Sequence, residues 1–284
     1  MQYLFEDGKS ENTIASYVGD VEMFYKWLAS KETVVDGMLK RFYITSYKKF
    51  LVNQKYKVNT INKKLNSLVC YNQYLISQSI MGEMVVNLHK DKLKIADGSE
   101  HSVAVLSDTD KERLLFFIQD QSVVSIRDKT IIMVLFYCGV RVTELVSTRI
   151  ADIDFISREL SVFSKGGKLR TIPLRDDVIS SIKEYMETER RLSKFNGSEY
   201  LFLSNRSGKM DRDAVAKRLK KYGNILGLHL NPHLFRHTLA SNLCSAGVNI
   251  STVSKILGHS NIQVTNQYYV NISSEEKQRA VDIL

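Results

Sequence analysis

The sequence has little from which to build a cross-linked or membrane-embedded protein. It holds three cysteines, Cys70, Cys138 and Cys244. An odd number without Cys-x-x-Cys spacing argues against a disulfide framework or a zinc–thiolate site and fits a reducing cytosol. The longest apolar run, Ile131 to Cys138, has 8 residues, against the roughly 18 that cross a bilayer. The opening Met1-Gln-Tyr-Leu-Phe-Glu-Asp brings an acidic pair where a secretory leader needs a longer apolar stretch, so no leader is expected. No Gly-x-Gly-x-x-Gly follows a strand. The Lys165-Gly-Gly-Lys168 turn is no Walker A loop either, because Val162 stands where that motif needs its first glycine. Nucleotide hydrolysis thus has no support. His233 and His237 have the spacing of a zinc helix, but Leu234 replaces the required Glu, and Arg236 between them repels a cation; no metal is expected.

What is present is an ordinary globular composition with a basic bias. Hydrophobic residues make up 44% and charged residues 25% of 284, and 40 Lys plus Arg against 31 Asp plus Glu leave a net charge of +9. That length suggests one or two domains. The charge is unevenly placed: between Asp36 and Glu83 there is no acidic residue, while Lys40, Arg41, Lys48, Lys49, Lys55, Lys57, Lys63 and Lys64 all fall there. DNA presents one phosphate per about 1.7 Å of axis, so such a surface suits a DNA-gripping face. A solvated lysine-rich helical face accounts for the same pattern equally well.

The first hundred residues read as helices only. Ile14, Tyr17, Val21, Phe24, Trp27 and Leu28 recur at spacings of three and four, predicting a helix that starts after Ser10. A second is expected over Met38–Gln54, and a third from near Thr60 with Ile61, Leu65, Leu68, Tyr71 and Leu75 inward. From Lys90 to Val105 no apolar period survives, which predicts a linker. Beyond it, Ser107 can cap a helix through Leu114, Leu115 and Ile118, and Gly139 can end a buried helix over Ile131–Cys138 in a left-handed turn. Glu159–Ser164 and Leu169–Leu174, separated by a Gly-Gly turn, read as a β-hairpin with Pro173 at an edge. Everything from Val178 onward reads as helical. The fold class is therefore mostly α with one small antiparallel β-sheet: a helical domain over 1–92, a linker over 93–105 and a second domain over 106–284.

The most informative stretch is Asn231-Pro232-His233-Leu-Phe-Arg236-His237. Asn231 is a good N-cap and Pro232 suits the first helical position, where its missing N–H costs nothing. His233 and Arg236 then lie side by side near a helix N-terminus, a receptor for phosphate. Downstream, Leu257-Gly258-His259-Ser260 ends one helix and begins another before Tyr268 and Tyr269. Singly, His233 is a surface histidine, His259 a turn residue and either tyrosine a half-buried aromatic.

As a set, Arg141, Lys165, His233, Arg236, His259 and Tyr268, spaced by 24, 68, 3, 23 and 9 residues, resemble the tyrosine recombinase (integrase) family. The stretches that carry the resemblance are Cys138-Gly-Val-Arg141-Val-Thr-Glu144-Leu, Ser164-Lys165-Gly-Gly-Lys168-Leu-Arg170-Thr-Ile-Pro173-Leu, Pro232-His233-Leu-Phe-Arg236-His237-Thr, and Leu257-Gly258-His259-Ser260 with Tyr268 nine residues on. Thr13-Ile14-Ala-Ser-Tyr17 and Thr60-Ile61-Asn62-Lys63 look like the family's SAM-like core-binding domain. Overall the chain resembles compact Xer-like members and, among these, a transposon resolvase of the TnpI type.

The resemblance implies roles that phosphoryl-transfer chemistry accommodates. Tyr268 would attack a scissile phosphate to give a 3′-phosphotyrosyl link and a free 5′-hydroxyl. Arg141 and Arg236 would hold the nonbridging oxygens, His259 would donate to the same phosphate, His233 would accept the tyrosine proton, and Lys165 would protonate the leaving oxygen. No metal, nucleotide or other cofactor would be needed. The implied partners are double-stranded DNA carrying recombination sites and three further copies in a homotetramer, working through a Holliday junction. Ser273-Ser-Glu-Glu276 and the apolar Ala280, Val281 and Leu284 would dock on a neighbouring subunit or on their own domain. Lys48, Lys49, Lys63 and Lys64 are the candidate DNA-binding residues, and a cytoplasmic, nucleoid-associated location follows. Two rivals remain: a type IB topoisomerase, which uses the same nucleophile chemistry to relax supercoils, and a DNA-binding regulator without catalysis. Tyr269 stands where relatives often have Thr, and Lys63 and Lys64 where many have Arg.

Overall fold

The computed structural model describes residues 1–31, 38–94, 104–163 and 169–258. The chain divides into two compact units, Met1–Ser99 and Glu100–Leu284.

In the first unit, a short α1 (Gln2–Glu6) precedes α2 (Glu11–Ala29), α3 (Arg41–Asn53), α4 (Val58–Ser77) and the single turn α5 (Leu88–Asp91). Helix α2 starts after Ser10 as expected, whereas α3 starts three residues later than the sequence reading and α4 two residues earlier. Phe24 and Leu28 of α2, Ile44, Tyr47 and Leu51 of α3, and Ile61, Leu65, Leu68 and Leu75 of α4 share one core. Within it Phe24 meets Tyr47 edge-on at 5.1 Å, the arrangement that ring quadrupoles favour. Buried Asn72 ties down the segment after α4: its Oδ1 accepts from the amides of Val85 (2.7 Å) and Val86 (3.2 Å), and its Nδ2 donates to the Glu83 carbonyl at 3.2 Å. Asn62 likewise exchanges two hydrogen bonds with the backbone of Leu93.

The second unit is arranged about α7 (Ile126–Cys138), which follows α6 (Asp108–Phe117). Helix α6 is capped by Ser107 as its sequence predicts. Helix α7 is buried on nearly every side, as an apolar run without a polar face must be. It begins earlier than expected, at Ile126, after the N-cap Ser125, whose side chain accepts from the Asp128 amide. The short α8 (Val142–Ser147) leads into a three-stranded antiparallel sheet in order β1 (Ile153–Asp154), β2 (Glu159–Phe163), β3 (Leu169–Pro173). The hairpin was legible; the two-residue β1 was not. Register pairs Leu160 with Ile172 and Val162 with Arg170, so Leu160, Val162 and Ile172 face the core. Beyond the sheet, the described residues form α9 (Asp176–Tyr185), which runs on as a π-helical turn over Met186–Arg190, then α10 (Arg212–Leu226), α11 (Pro232–Ser245) and α12 (Ile250–Leu257).

The expectation that the chain is helical throughout from Val178 onward needs correction. Residues 191–211 are turns and irregular chain. Ser193, Asn196, Gly197, Ser198, Ser204, Asn205, Ser207 and Gly208 supply the turn-forming residues. Buried Arg190 organises the segment by donating to the carbonyls of Asn196, Ser198, Tyr200 and Leu201.

Candidate active site

Helix α7 ends where Gly139 takes a left-handed conformation, φ +58°. A Cβ there would lie 2.7 Å from Leu239 Cδ2 and 2.9 Å from Leu257 Cδ2, so both the turn and the close approach of α11 and α12 require glycine. The reversal delivers Arg141 as the N-cap of α8, where its amide donates to Glu144 Oε2 at 2.7 Å. The Arg141 guanidinium donates to Glu144 Oε1 at 3.0 Å and to the Gly258 carbonyl at 2.9 Å.

Arg236, on the second turn of α11, points inward. It is 4% exposed and donates to the Gly139 carbonyl at 2.7 Å and to the Leu257 carbonyl. The sequence places it beside His233 near the N-terminus of this helix; the fold carries its guanidinium inward to the end of α12. Arg170 of β3 completes the set: it holds Glu144 through two hydrogen bonds of 2.9 and 2.8 Å and donates from Nε to the Ile256 carbonyl at 3.1 Å. Three consecutive carbonyls at the C-terminus of α12, those of Ile256, Leu257 and Gly258, thus accept from three different arginines. A helix C-terminus leaves just such carbonyls unpaired and carries the negative end of the helix dipole. Gly258, at φ +66°, admits this packing, since a Cβ would sit 2.8 Å from Arg170 Nη1.

The buried Glu144 carboxylate is the hub. Burial alone would raise its pKa, but the hydrogen bonds from Arg170 and Arg141 outweigh it and hold the carboxyl below its ordinary range. Glu144 and Arg170 lie within stretches that carry the family resemblance, but a pairing across 26 residues leaves no local signal of their roles.

His233 is exposed at the start of α11, beside Pro232 and the capping Asn231, whose Oδ1 accepts from the Leu234 amide at 3.0 Å. Its ring lies 6.2 Å from that of half-buried His237. Burial first, then the nearby charges of His233 and Arg236, push the His237 pKa down. Arg141 and Arg236 are thus brought to one place and His233 sits on the helix that carries Arg236. Lys165, which falls between the paired residues Phe163 and Leu169, lies outside the described residues, as do His259, Tyr268 and the expected C-terminal capping box.

Of the four candidate DNA-binding lysines, Lys48, Lys49 and Lys63 reach the surface of the first unit, Lys48 only in part. Lys64 does not. It follows Ile61 by three and precedes Leu68 by four, which places it on the buried stripe of α4. Its ammonium donates to Asp20 at 2.8 Å, and Ser67 donates to the other oxygen of the same carboxylate at 2.8 Å. Charge counting missed this because Asp20 lies outside the acid-free stretch. A second basic face lies on α10, where Lys217, Lys220 and Lys221 are exposed opposite the buried Val215, Leu219 and Tyr222. Among the described residues no helix is long and apolar enough to cross a membrane.

Comparison with known proteins identifies the family and the fold. The phage integrase family matches residues 104–276, and the phage integrase N-terminal SAM-like domain matches residues 1–79. The TnP I resolvase of Bacillus thuringiensis is 31% identical over 271 residues, spanning 94% of this chain and 92% of the relative. The tyrosine recombinase XerD of Vibrio cholerae is 30% identical over 284 residues, spanning 95% and 89%. Among solved structures, the Tn1549 transposon integrase in complex with transposon right end DNA covers 100% of this chain and 96% of its own at TM-score 0.75 and 22% identity. The XerH recombinase bound to its difH substrate covers 95% and 79% at TM-score 0.74 and 18% identity. The chain belongs to the phage integrase family, the site-specific tyrosine recombinases that cut and rejoin DNA.

Proposed function

We propose that this protein recombines two specific double-stranded DNA sites through a covalent 3′-phosphotyrosyl intermediate on Tyr268, acting as a homotetramer on synapsed DNA. Arg141 and Arg236 clamp the nonbridging oxygens of the scissile phosphate, where charge develops in the transition state. His259 donates to the same phosphate. His233 takes the phenolic proton as general base. Lys165 protonates the departing 5′-oxygen. The phosphodiester energy is kept in the tyrosyl ester, so the 5′-hydroxyl of the partner strand reverses the attack and a Holliday junction forms and resolves without ATP. The observation that carries this reading is the meeting of Arg141 and Arg236 on the adjacent carbonyls of Gly258 and Leu257, immediately before the His259-to-Tyr268 segment. Preorganised guanidiniums of this kind do without reorganisation at the moment of reaction.

Lys48, Lys49 and Lys63 contact backbone phosphates, whereas Lys64 serves the interior. Resolution of transposon cointegrates is the favoured biological role, on the strength of the 31% identity to the TnP I resolvase. The test is incubation with a nicked suicide duplex followed by denaturing electrophoresis. A covalent adduct is expected; its absence would leave a non-catalytic regulator. Relaxation of supercoiled plasmid lacking any recombination site would instead favour the topoisomerase.

A further inference from the structure

The outer face of α3 does not look like a plain phosphate-binding surface. Phe42 is 73% exposed and Val52 45% exposed, although the same helix buries Ile44, Tyr47 and Leu51 on its other side. At 100° per residue, Phe42, Thr45, Lys49 and Val52 fall within about 80° of one another, and Thr45 and Lys49 are exposed as well. The Thr45 hydroxyl is already engaged, donating towards the carbonyls of Arg41 (3.2 Å) and Phe42 (3.0 Å). That leaves its methyl as the outward group. The face is therefore an aromatic ring, a threonine methyl and a valine, interrupted by one ammonium, in a segment that carries no carboxylate between Asp36 and Glu83.

A protein surface meeting this face would want both apolar groups and acids. The DNA major groove offers another combination: the C5-methyl of thymine on the floor and phosphates on both rims. It is about 12 Å wide and admits a helix, and phenylalanine and threonine methyl groups are among the side chains that read thymine by apolar contact. Resting on the DNA-binding role proposed above for this unit, we infer that Phe42, with the Thr45 methyl beside it, is a specificity-determining contact that reads a thymine methyl in the recombination site, while Lys49 holds the flanking phosphate. The absence of acids makes the fit one of charge as well as shape, and 10.5 Å of helix between Phe42 and Lys49, at about 1.5 Å per residue, spans from groove floor to rim.

The experiment uses the full chain. Duplexes bound by the wild type are selected from a randomised pool, and each dT of the preferred site is then replaced singly by dU, which removes only the methyl. At one position the wild type should lose roughly fourfold in affinity, the worth of one buried methyl. In Phe42→Ala that loss should vanish while circular dichroism stays unchanged, since the ring is exposed; Phe42→Leu should keep part of it. Lys49→Ala should weaken dT and dU duplexes alike. If Phe42→Ala retains the wild-type sensitivity to dU, or the wild type shows none, the inference is wrong while sequence-specific binding stands. A Phe42→Ala variant that binds DNA normally and changes the sedimentation of the DNA-free protein would assign the face to a protein partner, which also overturns it. A wild type without any preferred sequence would overturn the site-specific reading itself, and this inference with it.

Discussion

Replacing Glu144 by glutamine changes a single oxygen yet removes the charge on which two guanidiniums converge. The Glu144 side chain is 5% exposed and that of Arg170 10%, so Arg170 would be left with its charge buried and with Arg141 close by. Breaking a buried pair from one side costs about 3–5 kcal/mol. The Arg141 contact adds little, because that side chain is 36% exposed and solvent screens it. For a unit of this size each kcal/mol moves Tm by about 2–4 °C, so thermal denaturation of Glu144→Gln should fall by about 6–20 °C. Suicide-duplex cleavage should fall by roughly 100-fold, the usual penalty for a misplaced catalytic group, because Arg141 loses the carboxylate that aims it. The double variant Glu144→Gln with Arg170→Met separates the two effects. Removing both charges should recover most of the stability, yet cleavage should stay low. A Tm for Glu144→Gln within 2 °C of the wild type, or cleavage restored in the double variant, would refute the claim that Glu144 joins stability to the aim of Arg141.

Other outcomes follow from the same contacts. Lys63→Ala should lower the slope of log affinity against log salt by about one phosphate's worth, whereas Lys64→Ala should leave the slope alone and lower stability by leaving buried Asp20 with only the exposed Lys63 ammonium, 3.4 Å away; equal slopes for both variants would place the DNA elsewhere. Gly258→Ala, at φ +66° and against Arg170, should cost more than about 1 kcal/mol in denaturant unfolding. Because the His237 pKa is depressed on folding, the unfolded chain takes up that proton first as pH falls. Stability should therefore decline below about pH 6.5, and His237→Asn should flatten that part of the profile.

Several local features could be read from the sequence because the signal and its effect lie within a few residues. Ser107 and Asn231 cap helices through their own side chains, Gly139 turns left-handed where a buried helix stops, and two alternating runs pair antiparallel as β2 and β3. Partners far apart in the chain left no such trace. Asp20 takes Lys64 into the interior from 44 residues away, and Arg190 builds the irregular segment after α9 out of carbonyls that no pattern marks. The candidate site shows both cases. Arg141, His233 and Arg236 stood out by residue type and order, but the inward course of Arg236 and the Glu144–Arg170 pair depend on α8, α11, α12 and β3 meeting at the end of α12.

The nucleophile is the point on which the rest depends. Wild type, Tyr268→Phe and Tyr269→Phe should each be incubated with a nicked suicide duplex, and any DNA-linked peptide identified by mass spectrometry after proteolysis. The account predicts an adduct on Tyr268 in the wild type, none in Tyr268→Phe and most of it retained in Tyr269→Phe; an adduct that survives Tyr268→Phe and disappears only in Tyr269→Phe would contradict it.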